Sequence, residues 1–447
     1  MVARAGDPDS PLYWSASPDR SRRAPAAGRS GICRSGTCRI GPASVARPGL
    51  SRPFRRDSFE LACEAAAEFP VGGRGVGVSP LTTVPASGAY DTLAVPRPTP
   101  RLDPVPDSRP SPLCCGAALQ PSASPSLERL VNHPWPKHVL LELTNACDLA
   151  CRHCHFHGDD VVKTRDVGRM SEATWRAALA EVATWSTDVT VQPWGMGEPL
   201  LHPQLWDVVA EAKDLPQVTV GFYSNGMQWG DRDHQEALEH GLDWVCFSVD
   251  GLDAEQFGHY RKGADLTRVI RSIETLVEKR EARGATHPRV RINMVAYEGT
   301  TTSTDAFVER WRGIADLVTI SRFRPVGSRR FSPIDLPRVP CYQLDTILAV
   351  AWDGSVAMCC EDPQVSEPIG RFPVQSLAEL WNSDHMNDLR AAHRAGRFDV
   401  SRLCVDCDAW TGIYGRDGRA PGAIVTEKTS ATIYEYTDDS ERHTHGA

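Results

Sequence analysis

The sequence predicts an α/β protein whose parallel sheet curls into a partial (β/α)6 barrel, followed by a small cysteine-bearing domain. Two observations carry this. From about residue 136, six strand-like stretches alternate with helix-like ones, the pattern of a parallel sheet with crossover helices. Cysteines, glycines and short polar side chains gather just after those strands, and in such barrels chemistry collects at the carboxyl ends of the strands.

The elements follow in order. The apolar run 139–144 is the first strand and leads into a cysteine loop, with a helix near 171–184. Strand 189–194, helix 203–213, strand 217–223 and helix 233–239 come next. In strand 244–249, period two puts Cys246, Ser248 and Asp250 on one face and Val245, Phe247 and Val249 on the other. The apolar face should meet the helices and the polar face should line the barrel interior. A long amphipathic helix covers 266–283. In strand 289–297, Arg291, Asn293 and Tyr297 alternate with Val290, Ile292, Met294 and Ala296. Helix 305–314 and strand 317–323 complete the six.

The chain has 447 residues, so two or three domains are expected. A net charge of −8 offers no basic field for nucleic acid. No apolar run reaches membrane-spanning length, and the N-terminus lacks the apolar core of a secretory signal. Fourteen cysteines without such a signal point to metal sites in a reducing cytoplasm rather than disulfides. Residues 1–128 hold 19 of the 34 prolines and no lysine, with no sustained period. They are expected to be a disordered Pro/Arg/Ser-rich extension, or to reflect a start codon read too far upstream. Cys33, Cys38, Cys63, Cys114 and Cys115 lie there at spacings that match no metal motif. No winged-helix pattern for binding a leader peptide is visible. The expected domains are therefore the extension 1–128, a barrel over 136–325, a cysteine domain over 335–412 and a flexible tail over 413–447.

The central motif is Cys147-x3-Cys151-x2-Cys154 after the first strand. Three soft thiolates in one short loop can wrap a compact inorganic centre. Zinc completed by His153, His155 or His157 is the alternative. The spacing, the preceding strand and His153 resemble the radical S-adenosylmethionine (radical SAM) enzymes. That resemblance implies a 4Fe-4S cluster on three cysteines, whose fourth iron chelates SAM. It also implies SAM-binding roles for other residues. Gly197 and Glu198, in Trp194-Gly-Met-Gly-Glu-Pro, look like the family's G-G-E-P turn, with Met196 in place of its first glycine. Ser224 and Asn225 follow the third strand, where the family approaches the SAM ribose and carboxylate. Ser248 and Asn293 face the interior. Arg261 resembles a family position that can reach the SAM carboxylate. An external one-electron reductant such as flavodoxin or ferredoxin is implied, with a small-molecule or peptide substrate.

Past residue 324 come Cys341, Gly354, Cys359, Cys360, Cys404 and Cys407. The element C-x12-G-x4-C with a later C-x2-C looks like the auxiliary-cluster extension called SPASM, or its shorter twitch form. The glycine allows a hairpin that brings Cys341 and Cys359 together, and Cys404 and Cys407 can close a four-thiolate site. Cys360 is the spare. A structural zinc on the same four thiolates is the alternative. No cysteine follows Cys407, which fits the twitch form with one auxiliary 4Fe-4S cluster.

Intervals of 18, 45 and 3 residues between these four look very like radical SAM dehydrogenases of aminocyclitol antibiotic pathways. The expected reaction is therefore oxidation of a secondary alcohol. An aminoglycoside epimerase, with Cys246 as the catalytic hydrogen donor, and a maturase of a ribosomally made peptide are the alternatives.

Overall fold

β1 (His138–Leu141), β2 (Val189–Gln192), β3 (Val218–Ser224), β4 (Trp244–Ser248), β5 (Arg289–Ala296) and β6 (Leu317–Arg322) lie side by side in chain order, all parallel. The computed structural model describes residues 133–437 apart from 160, 298–299, 301, 325–335 and 421. The expected extension 1–128 and its cysteines lie outside the described residues. Between the strands run α1 (Glu172–Val182), α2 (Leu205–Lys213), α3 (Asp231–Glu239), α4 (Ala254–Tyr260), α5 (Leu266–Ala282) and α6 (Thr304–Trp311). Ser171, Asp253, Asp265 and Ser303 each cap a helix by accepting a backbone N–H three residues on. α5 buries Leu266, Val269, Ile273, Leu276 and Val277 as one stripe on the sheet. Of the six helices, α4 is the one without a counterpart in the sequence reading. Its single buried residue, Phe257, is too little for a periodic signal.

The alternation along β4 and β5 divides the sheet as its chemistry requires. Val245, Phe247, Val249, Val290, Ile292 and Met294 join the helix-side core. On the inner face, Trp244 and Cys246 pack with Trp194 and Tyr223. Arg291 sits 4.3 Å from the centre of the Trp244 ring. Gly221 faces Trp244 across the ladder, and a Cβ there would clash with the indole. The glycine therefore lets the indole cross β3. Tyr223, Cys246 and Arg291 share one rung of the ladder, one inner rung below Ser248 and Asn293.

Both sheet edges are extended. At β1, β7 (Ile347–Val350) adds in parallel, followed by antiparallel β8 (Ser355–Ala357) and β9 (Pro368–Arg371). α7 (Leu377–Trp381), α8 (Asp384–Arg394) and α9 (Arg402–Val405) follow. At β6, β10 (Gly415–Ala420), β11 (Ala423–Lys428) and β12 (Ala431–Tyr436) form an antiparallel meander whose last strand pairs with β6. Residues 415–436 of the expected flexible tail 413–447 are thus paired strands, and 438–447 lie outside the described residues. Val425, Ile433 and Tyr436 are buried, and the meander covers the backbone groups that β6 would otherwise expose as an edge. Among the described residues the result is one open twelve-stranded sheet. No described helix is long and apolar enough to cross a membrane.

Candidate active site

The loop after β1 is held in shape before any cofactor is considered. Buried Asn145 donates to Asp166 O at 2.8 Å and accepts from Gly168 N at 2.8 Å. Thr144 Oγ1 donates to Gly168 O at 2.7 Å and accepts from Ala146 N at 3.0 Å. The loop presents Cys147, Cys151 and Cys154, and each sulfur faces an N–H donor. Asn225 Nδ2 lies 3.9 Å from Cys147 Sγ, and Arg261 Nη1 lies 3.9 Å from Cys151 Sγ. Cys154 Sγ accepts from the backbone of Phe156 and His157 at 3.4 and 3.2 Å. Burial pushes the Cys147 thiol up to about 12 and the Cys151 thiol up to about 11. Holding both as thiolates thus calls for a positive centre beside them.

The turn after β2 rests on this loop. Glu198 N donates to Ala146 O at 2.9 Å. A Cβ on Gly197 would collide with Ala146 O and Thr144 O, so only glycine fits. Met196 N donates to Glu142 Oε2 at 3.1 Å. The Glu198 carboxylate is buried. It accepts from Asn225 N at 2.7 Å, Ser224 Oγ at 3.0 Å and Leu200 N at 3.3 Å. Burial, only partly offset by these donors, pushes its pKa up to about 7. Three donors leave room on a carboxylate for a fourth.

Above Ser248, Asp250 is fully buried and organises the mouth of the barrel. It accepts from Val295 N at 2.8 Å, and Arg261 Nε lies 2.8 Å from its Oδ2. His153 Nε2 is 3.7 Å from the same oxygen, and His153 Nδ1 bonds Tyr297 OH. Burial, opposed by Asp250, pushes His153 down to about 4 and keeps it neutral. Tyr297 stacks on Tyr260 at 3.7 Å.

A second cysteine site follows the barrel. Gly354, at φ +88°, turns β7 into β8, and a Cβ there would meet Phe372 O. Cys341, Cys359, Cys404 and Cys407 line one cavity with Gln343, Met358, Glu361, His393 and Trp410. Leu344, Met386, Leu389 and Leu403 form the apolar packing around it. Burial, and then neighbouring Cys359, Cys407 and Cys404, push the Cys341 thiol well up. Cys360 Sγ lies 3.2 Å from Gln343 Oε1 instead of lining the cavity.

Residues 141–304 match the family model of the Radical SAM superfamily, and residues 341–408 match that of SPASM, an iron–sulfur cluster-binding domain. The chain is a radical SAM enzyme with a SPASM domain. It is 24% identical over 322 residues to the tungsten-containing aldehyde ferredoxin oxidoreductase cofactor-modifying protein of Pyrococcus furiosus, a match covering 61% of this chain and 87% of that one. It is 32% identical over 160 residues to the PqqA peptide cyclase of Xanthomonas euvesicatoria pv. vesicatoria, covering 35% and 38%. Among solved structures, BtrN in complex with AdoMet and 2-DOIA shares 18% identity at a TM-score of 0.43, covering 61% and 92%.

Radical SAM and SPASM domains carry a SAM-binding 4Fe-4S cluster, SAM and auxiliary iron–sulfur. The donor sets fit: three thiols with N–H groups on their sulfurs, and four thiols on one cavity. Among the described residues no three His, Cys, Asp or Glu side chains close around a single ion; a cubane is a larger group. Of the SAM candidates, Gly197, Glu198, Ser224 and Asn225 form one hydrogen-bonded cluster against the cysteine loop. Ser248 and Asn293 face each other across the β4–β5 ladder, and Asn293 Oδ1 accepts from Ser321 Oγ at 2.7 Å. Arg261 lies between Asp250 and Cys151. Cys246 is 3% exposed, one interior rung below Ser248, and burial pushes its thiol up to about 12. Sequence reasoning did not single out Glu142, Asp148 or His393. Glu142 sits at the end of β1 on the barrel's inner face, and that alternation was its one signal. Asp148 accepts from Asn225 Nδ2 and Gln228 Nε2, both at 2.7 Å. No spacing in the sequence marks it.

Proposed function

We propose that this enzyme oxidises a secondary alcohol of an aminocyclitol or sugar-like natural product to a ketone. The observation that carries this reading is the four-thiol cavity just after the barrel, with cysteines at intervals of 18, 45 and 3 residues. When bound, the barrel cluster with SAM supplies a hydrogen-abstracting 5′-deoxyadenosyl radical, and the auxiliary cluster supplies an acceptor for the second electron of a two-electron oxidation.

The chain's own residues do the rest. Cys147, Cys151 and Cys154 hold the barrel cluster, and Cys341, Cys359, Cys404 and Cys407 the auxiliary one, in the four-cysteine twitch form. Glu198, fixed by Ser224 and Asn225, accepts the SAM ammonium group. Gly197 lets that turn approach the cluster loop. Arg261, oriented by Asp250, places positive charge beside Cys151. Trp244, Tyr223, Trp194 and Arg291 pack around Cys246 in the interior beneath Ser248. Over the reaction the alcohol carbon loses a hydrogen atom, and its oxygen loses a proton as the second electron leaves. An external one-electron donor such as flavodoxin or ferredoxin supplies the electron that starts each turnover.

Turnover in deuterated water with an aminocyclitol tests this. The expected result is one SAM consumed per product, the product two hydrogens lighter and free of carbon-bound deuterium. A product of unchanged formula with one carbon-bound deuterium would install an epimerase with Cys246 as donor. Turnover of a peptide alone would install a maturase, the reading favoured by the likeness to the PqqA peptide cyclase.

A further inference from the structure

His393 on α8 is 3% exposed. Its Nδ1 accepts the backbone N–H of Cys341 at 3.3 Å. A ring nitrogen that accepts from an amide carries no proton, so the proton of this imidazole is on Nε2. Nε2 is buried and has no hydrogen-bond partner among the described residues. A buried N–H without an acceptor is costly and calls for a missing group.

The same imidazole lines the cavity of Cys341, Cys359, Cys404 and Cys407. Phe398 meets it edge-on at 5.1 Å and fixes the ring plane. Of the other polar groups around the cavity, Arg338 Nε is also buried without a hydrogen-bond partner among the described residues, and it is the one rival donor; the rest are engaged elsewhere. Glu361 pairs with Arg324, Arg338 donates to Cys404 O and to Val405 O, and Trp410 Nε1 donates to Cys407 O at 3.0 Å.

We propose that His393 Nε2–H donates a hydrogen bond to a sulfur of the auxiliary cluster and raises its reduction potential. The reduced cluster is the more negative state, so a donor on its sulfur stabilises it more than the oxidised state. His393 is thus a positioning and tuning residue, held in its tautomer by the backbone of a cluster ligand. The proposal rests on the four cysteines being that cluster's ligands.

The test uses the full chain with Cys147, Cys151 and Cys154 changed to Ala, so that only the auxiliary cluster reports. Its midpoint potential is titrated by electron paramagnetic resonance in this parent, in His393→Phe and in His393→Gln. In the phenylalanine variant the reduced-to-oxidised ratio at a fixed potential should fall about tenfold, ~59 mV for a one-electron couple. Glutamine, which keeps an N–H donor, should restore most of it. In deuterated water the parent's reduced cluster should show one weakly coupled exchangeable deuteron that His393→Phe lacks. An intact cluster with unchanged potential in His393→Phe would overturn the proposal. So would a strong directly bonded nitrogen coupling in the parent, which would make His393 a ligand. If the phenylalanine variant loses its cluster, the parent's deuteron signal decides. Zinc in place of iron in the parent would overturn the ligand reading itself and this proposal with it.

Discussion

Glu142 and Arg165 form a two-pronged, largely buried ion pair where the barrel meets the SPASM domain. One prong is Arg165 Nη2 to Glu142 Oε2 at 2.7 Å, and the other is Nη1 to Oε1. The same carboxylate accepts from Met196 N at 3.1 Å in the turn after β2 and from Trp352 N at 3.4 Å in the β7–β8 hairpin. Arg165 also donates to Pro363 O at 3.0 Å. A single carboxylate therefore joins the turn carrying Glu198 to the domain carrying the four auxiliary cysteines.

Glu142→Gln should destabilise the protein by ~3–5 kcal/mol in urea unfolding, because it leaves the Arg165 charge buried without a partner. Adding Arg165→Met should recover part of that loss, since residues in contact do not add. Strictly additive effects would show that the pair is not coupled.

Gly197→Ala should lower iron at the barrel site while the auxiliary site keeps its own. The added methyl would meet Ala146 O and Thr144 O, displacing the cysteine loop. Mössbauer counting of clusters, run beside the variant lacking Cys147, Cys151 and Cys154, reads this directly. Equal loss at both sites would mean general unfolding instead.

SAM affinity should rise with pH through about 7, by up to tenfold per unit below that value. Burial holds the Glu198 proton to about 7, against an ordinary 4.5, and the ionised carboxylate accepts far more strongly from an ammonium group than the neutral acid does. The folded chain binds this proton more tightly than the unfolded one. Its contribution to stability without SAM is therefore full below 4.5 and fades as pH rises through 7. Calorimetry of SAM binding should show the inflection in the unsubstituted protein and none in Glu198→Gln.

Cys246→Ala should cost ~1 kcal/mol for the small cavity it leaves and keep dehydrogenation within a few-fold. The thiol lies under Ser248, among Trp244, Trp194 and Tyr223. A product assay showing lost turnover with preserved folding would give Cys246 a chemical role and favour epimerisation.

Ile433→Ala should destabilise the chain by ~2–5 kcal/mol, measurable as a lower urea midpoint. Ile433 is 7% exposed and sits opposite Thr319 on β6. A change within error would mean that the meander is not part of the cooperative unit.

What could be read before the fold was what repeats locally. The six strands and five of the six barrel helices carry their own periods of two or 3.6. That same alternation put Cys246, Ser248 and Asp250 on one face of β4. The cysteine intervals, and the glycines that only a turn or a close approach explains, are likewise written in neighbouring residues.

The sequence by itself therefore determined the barrel, the two cysteine sets and the inward faces of its strands. Tertiary structure alone decided the β10–β12 meander on β6, the Glu142–Arg165 pair, the Asp250–Arg261–His153 network and the facing of His393 onto the auxiliary cysteines. The reason is physical. A local period records which side of one element is apolar. These partnerships join residues dozens of positions apart, and their energy comes from burial and hydrogen bonding that exist only once the elements have packed.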